Sequence, residues 1–274
     1  MNWINRKSLA AAWIAALLGI GSTHPAQAAQ VVRVGIMSGG DDEVWRVVAA
    51  NAEKRGLTIK VTQFSDYTLP NEALATHDLD ANSFQHVPYL DAQKQARHYA
   101  IVPVGFTYVG PIGFYSRKVK RVQDLPDGAT IGVPNDPSNE TRALRLLQAL
   151  GLITLRTGSG ALPTIRDIDR NPKHIRIREL DAGIVGRAID DLDAAVINTD
   201  WAIKTGIRIP QERIAQENVA GNPYRNVIAV NASDANASWV RALVESYQQP
   251  NVAAKIIGVY HGEALPAWSG ALQP

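Results

Sequence analysis

"VVRVGIMSGGDDEVWRVVAANAEKRGLTIKVTQF", Val31 to Phe64, reads as strand, turn, helix and strand. Val31, Val32, Val34 and Ile36 make the β-branched run of a buried strand, and Gly39-Gly40 bounds it. Asp41, Asp42 and Glu43 then open a helix, where negative charge suits the dipole, and Gly56 fits its stop. "LTIKVTQF", Leu57 to Phe64, resumes as a strand.

The same alternation recurs along the chain. "ATIGVP" precedes "NETRALRLLQALG", "IRIREL" precedes "AGIVGRAID", and "DAAVIN" precedes "TDWAIKTG". Strands that alternate with helices predict an α/β protein with parallel sheets covered by helices on both faces. Two Gly/Pro-rich stretches, "VGFTYVGPIGFYSRK" (Val104–Lys118) and "AGNPYRN" (Ala220–Asn226), fit crossings between two lobes. In such folds ligands sit beyond the carboxyl ends of the strands. Three segments fall there: "SDYTLPNEAL" after Phe64, "NDPSNETR" after Val133, and Asn198 at the end of "DAAVIN".

The first 28 residues look like a secretory leader. Arg6 and Lys7 precede an uncharged apolar run, Leu9 to Gly21, and Ala26-Gln27-Ala28 offers small residues for cleavage before Ala29. The competing reading is a membrane anchor, but the run is short of the roughly 20 residues a spanning helix needs. The leader holds two of the 28 basic residues and none of the 26 acidic ones, so the remainder carries no net charge. The absence of cysteine excludes disulfides, thiolate metal sites, a cysteine nucleophile and a lipid-bearing cysteine. No basic tract points to nucleic acid.

Enzyme and metal patterns fail one by one. "DLDANS" starts like a calcium loop, but Ser83 stands where glycine is needed and Tyr89 where the bidentate glutamate belongs. The six histidines form no HxH or HExxH pair, and there is no GxSxG or phosphate-binding glycine loop. "VPNDPSNETRALRLL" is more informative. Pro134 and Pro137 break the chain, Ser138 or Asn139 can cap the following helix, and Arg142 falls in its first turn. Free amides, dipole and guanidinium then converge on a point suited to a carboxylate. Alternatively, Arg142 pairs with a nearby aspartate and is structural.

"FSDYTLPNEALATHDLDANSFQHVPYLDAQ" resembles the periplasmic methionine-binding proteins of ABC importers, the MetQ/NlpA lipoprotein family. The similarity runs on through "GFTYVGPIGFYSRKVKRVQDLPDGATIGVPNDPSNETRALRLLQALGLI", "ELDAGIVGRAIDDLDAAVINTDWAIKTGI" and "NPYRNVIAV". It implies a type II periplasmic-binding-protein fold, in which two α/β lobes joined by two crossings close on a small molecule. On that pattern residues 1–28 are the signal peptide, 29–110 with 227–274 form the first lobe, and 111–226 form the second. Two departures stand out: the family's lipid-bearing cysteine is missing, and the loop "MSGGDDEV" differs from the usual glycine-proline version.

The resemblance also implies a site. Tyr67, Phe84, His86 and Tyr89 line the ligand's side-chain pocket, and aromatic surfaces suit a thioether. From the "NxxR" match, Asn139 is a ligand-binding residue and Arg142 meets the ligand carboxylate. Asn198 and Asn226 hydrogen-bond its amino and carboxylate groups. The implied role is an importer's substrate-binding component, non-enzymatic and without cofactor or metal. It would be a soluble periplasmic monomer that delivers L-methionine to an inner-membrane permease. D-methionine, a methionine-containing dipeptide or another small amino-acid-like ligand are alternatives. So are a periplasmic enzyme, with His86 beside tyrosines as its acid–base group, and an adhesion or signalling protein on the same scaffold.

Overall fold

The computed structural model describes residues 29–268, so the leader lies outside the described residues. β1 (Gln30–Met37) leads into α1 (Gly40–Glu53), and Gly56, at φ 76°, turns the chain in the left-handed region into β2 (Leu57–Phe64). α2 (Leu69–Ala75), β3 (Ala81–His86), α3 (Val87–Arg97) and β4 (Ile101–Phe106) follow. The first crossing carries the short β5 (Tyr108–Val109) and delivers β6 (Gly113–Tyr115) to the second lobe.

That lobe continues with β7 (Thr130–Pro134), α4 (Pro137–Ala149) and the pair β8 (Thr154–Leu155) and β9 (Ile168–Arg170). β10 (Arg176–Leu180), α5 (Ala182–Val185), β11 (Ala194–Ile197), α6 (Thr199–Lys204), α7 (Ile209–Glu212) and β12 (Arg213–Gln216) complete it. The second crossing returns to β13 (Asn226–Asn231), and α8 (Ser238–Tyr247), α9 (Pro250–Val259) and β14 (Leu265–Pro266) end the described chain.

Two five-stranded sheets result, ordered β2-β1-β3-β13-β4 and β10-β7-β11-β6-β12. Their arrangement corrects the expectation of purely parallel sheets. β1 runs parallel to β2 and β3, and β7 to β10 and β11, but β13 is antiparallel to β3 and β4, and β6 to β11 and β12. The cause is the crossings. A chain arriving from the other lobe enters a sheet at the edge facing that lobe, where the parallel strands end, so it runs back against them. Asn226, placed by the sequence pattern at the end of the second lobe, is the first residue of β13 and so belongs to the first sheet.

Helices cover both faces of the first sheet. Val34, Ile36 and Val230 pack with Trp45, Leu243, Tyr247 and Ile256 on one side, while Ile101 and Ala229 pack with Leu74, Leu79 and Leu90 on the other. The second lobe has its own core around Phe114, Ile131, Leu144, Leu147 and Val196. A further cluster joins the lobes: Met37, Phe84 and Tyr89 from the first meet Ala182, Val185, Ile197 and Trp201 from the second.

Candidate functional site

Polar residues in the "NEAL…DANSFQH" stretch fix the first wall of the cleft. Asn71 exchanges hydrogen bonds with Gln85, Nδ2 to Oε1 at 2.8 Å and Nε2 back to Oδ1 at 2.6 Å. Asn82 donates to Asn71 Oδ1 at 2.9 Å and to the Pro70 carbonyl at 3.2 Å. All three amides are buried, and their mutual satisfaction offsets the cost of burying them. They clamp α2 onto β3 and so set where Tyr67, Phe84 and His86 project.

All eight residues named from the sequence, Tyr67, Phe84, His86, Tyr89, Asn139, Arg142, Asn198 and Asn226, line one cavity between the lobes, with about 420 Å³ of atom-free space including its mouth. His86 caps α3, its Nδ1 accepting the Tyr89 amide at 3.1 Å. The ring proton therefore sits on Nε2, which donates across the cleft to Asn139 Oδ1 at 3.2 Å. Burial, together with the Arg142 charge, pushes the imidazole down to about 3, so it is neutral at physiological pH.

The start of α4 differs from the sequence expectation. The cap is Asp136, not Ser138 or Asn139; its Oδ1 accepts the Asn139 amide at 3.0 Å. Asp136 also takes both contacts of Asn139 Nδ2, at 3.1 and 2.9 Å. Asn139 Oδ1 receives Asn198 Nδ2 at 2.9 Å as well as His86. In this closed arrangement Asn139 therefore holds its neighbours in place. Asn198 Oδ1, by contrast, is buried without a hydrogen-bond partner among the described residues. An orphaned acceptor in a cavity wall suits a ligand N–H.

Arg142 is the sixth residue of α4 and lies one turn beyond the free amides. Its Nε donates to Glu217 Oε2 at 3.0 Å, and its Nη2 bonds Glu217 Oε1 and the Gly110 carbonyl, the latter at 2.8 Å. The guanidinium stands 4.3 Å from the centroid of the Tyr224 ring. Arg142 is in an ion pair, with a glutamate rather than the expected aspartate, and it lines the cavity. Nη1 has no hydrogen-bond partner among the described residues. Gly110 allows the close packing here, since a Cβ on it would lie 3.1 Å from Thr199 Cβ and Oγ1.

The remaining wall is aromatic. Tyr67 packs on Phe84 at 6.0 Å, Tyr89 at 6.0 Å and Trp201 at 5.8 Å between centroids, and Phe84 meets Tyr89 edge-on at 5.7 Å. Tyr89 Oη donates to the Tyr67 carbonyl at 2.8 Å, and Tyr67 Oη reaches the other lobe, 2.9 and 2.7 Å from the Asp200 carboxylate oxygens. Asn226 lies beside His86 on the neighbouring strand.

The family model of the NlpA lipoproteins matches residues 32–268. The chain belongs to the NlpA lipoprotein family. Among its relatives, the D-methionine-binding lipoprotein MetQ of Escherichia coli K12 is 42% identical over 240 residues, 86% of this chain and 88% of MetQ. Among solved structures, a nutrient binding protein from Burkholderia cenocepacia bound to methionine is 48% identical, with a TM-score of 0.84 over 86% of this chain and all of that one. An ABC transporter periplasmic substrate-binding protein from Coxiella burnetii is 42% identical, with a TM-score of 0.82 over 86% of this chain and all of its own.

Sequence reasoning missed several groups in this NlpA-family cleft. Gln85, Tyr108, Gly110, Thr199 and Asp200 also line the cavity, while Glu217 and Tyr224 hold Arg142 from the second crossing. Asp200 was within reach of the sequence, two residues after Asn198 at the same strand end. Glu217 was not, because its partner lies 75 positions away. Among the described residues no group of three or more His, Asp or Glu side chains is placed to hold a metal ion.

Proposed function

We propose that this chain is the substrate-binding component of an ABC-type amino-acid importer. It takes methionine or a close relative between its lobes and hands it to an inner-membrane permease, without catalysis. The observation that carries this reading is the composition of the interlobe cavity. Arg142 and the unpaired Asn198 Oδ1 can meet the carboxylate and ammonium of a zwitterion, and Tyr67, Phe84 and Tyr89 cover an apolar side chain. The Burkholderia relative bound to methionine and the Coxiella relative from an ABC transporter support it. His86 commits one ring nitrogen to the Tyr89 amide and the other to Asn139, which speaks against acid–base chemistry there.

Binding is expected to couple to closure. The segments between β4 and β6 and between β12 and β13 are the hinges, and a ligand that touches both lobes favours the closed state by its differential affinity. The chain acts as a monomer in the periplasm, released after Ala28, and lacks the cysteine that would carry a lipid. D-methionine and a methionine-containing dipeptide stay within the same reading. Isothermal titration of ligand-stripped protein with L- and D-methionine, and mass spectrometry of small molecules released by denaturation, test it. Failure of every amino acid and dipeptide to bind would remove it. Protein recovered in detergent-extracted membranes with Met1 intact would remove the periplasmic assignment.

A further inference from the structure

The aromatic end of the cavity terminates in a carboxylate. Asp200 accepts from Tyr67 Oη with both oxygens, and the Tyr67 ring lies within a group formed by Phe84, Tyr89 and Trp201. Arg142 stands at the other end of a row of rings: it faces Tyr224, which packs on His86 at 5.0 Å, and His86 packs on Tyr89 at 6.2 Å. A ligand whose carboxylate meets Arg142 therefore sends its side chain along the rings toward Asp200.

A neutral thioether gives that end nothing to balance. It has no charge and no proton to donate, so it adds nothing to the partners Asp200 already has, the Tyr67 hydroxyl and the backbone amides of Asp200 and Trp201. Other acidic groups add to the same field. Asp136, Asp66 and Asp181 act on the Tyr89 hydroxyl, and Asp41, which accepts from Tyr260 Oη at 2.7 Å, lines an adjoining cavity that shares Asp200. The opposing cation is Lys204, exposed, 4.5 Å from the centroid of the Trp201 ring and bonded to Ser38 Oγ at 2.5 Å.

Resting on the reading of this cavity as an amino-acid site, we propose that its side-chain end recognises an onium group, and that the preferred ligand is an α-amino acid ending in a methylated sulfonium. A primary ammonium is the poorer fit. It needs three acceptors, whereas the end offers one carboxylate already engaged by Tyr67, and otherwise rings. A sulfonium has no N–H to satisfy, and its charge, spread over methyl groups, rests on aromatic faces opposite a carboxylate. Asp200 is then the residue that separates a sulfonium amino acid from methionine.

The probes are S-methyl-L-methionine, L-methionine and L-lysine, titrated calorimetrically into ligand-stripped full chain at pH 8. The sulfonium is expected to bind at least about tenfold more tightly than methionine, in line with a desolvated cation–π contact, and lysine more weakly than either. Asp200→Asn is expected to lower the sulfonium-to-methionine preference by about tenfold or more, read as a ratio in protein shown by thermal melt to be folded. If methionine binds and the sulfonium binds no better, the proposal fails and the amino-acid reading stands. An unchanged ratio in Asp200→Asn or lysine as the tightest ligand also overturns it. If none of the three binds, this proposal falls, and titration of the remaining amino acids and dipeptides decides the amino-acid reading.

Discussion

Arg142 ties both crossings to α4: it grips Glu217 of the second through Nε at 3.0 Å, and the Gly110 carbonyl of the first through Nη2 at 2.8 Å. Glu217 in turn accepts the Ile112 amide at 2.8 Å, so one ion pair spans both crossings. Arg142 side-chain exposure is 3% and Glu217 14%, which makes this a pair whose disruption leaves an uncompensated charge.

Arg142→Ala is therefore expected to lose stability as well as affinity, by about 3–5 kcal/mol in folding, as for other broken buried pairs. Replacing both charges, Arg142→Met with Glu217→Gln, should recover most of the stability, since the introduced side-chain amide oxygen still accepts the Ile112 N–H. Affinity should stay lost. Urea unfolding and calorimetric titration of single and double variants separate the effects. A double variant that binds like the parent would exclude Arg142 from ligand contact.

Asn198 makes the opposite case. Its Oδ1 is buried and unpaired, so the ligand-free protein gains little from it beyond the bond of Nδ2 to Asn139. Asn198→Ala should change stability by roughly 1 kcal/mol or less, yet weaken amino-acid binding by about 1.5–3 kcal/mol, the range for hydrogen bonds to charged groups. Loss of stability without loss of affinity would reassign Asn198 to structure.

Tyr67→Phe keeps the ring contacts and removes only the bond to Asp200 across the cleft. It should weaken ligand binding by about 1–2 kcal/mol through a less favoured closed state. Small-angle scattering at saturating and zero ligand should show the closed form retained with ligand and less populated without it. Equal affinity in the two proteins would sink the latch.

Two buried groups give opposite pH dependences. Burial and then Arg142 push His86 from 6.5 down to about 3, so its contribution to folding is full above pH 6.5 and is lost as the pH falls toward 3. Asp41 is raised by burial from 3.8 to about 7; its contribution is full below pH 3.8 and is lost as the pH rises through about 7. Asp41→Asn should therefore gain roughly 1–3 kcal/mol relative to the parent on going from pH 4 to pH 8, while its amide oxygen still accepts from Tyr260. Melting curves at the two pH values check the sign. A gain at pH 4 instead of pH 8 would mean that Asp41 is charged in the folded protein.

Local sequence determined much of this protein. β-branched runs bounded by glycine placed β1 and β2, and the alternation of strand and helix predicted the α/β class and put candidate residues at strand ends. These signals are legible because they act over a few residues: side-chain branching, backbone freedom and helix-end charge. Tertiary structure decided the rest. The antiparallel entry of β6 and β13 follows from the edge at which each crossing arrives. Asp136 took the cap because its carboxylate reaches the Asn139 amide while also holding the Asn139 side chain. The partner of Arg142 sits 75 residues away, and that of Tyr67 133 residues away. No window of sequence carries such pairings, since they arise only when two lobes bring remote segments within hydrogen-bonding distance.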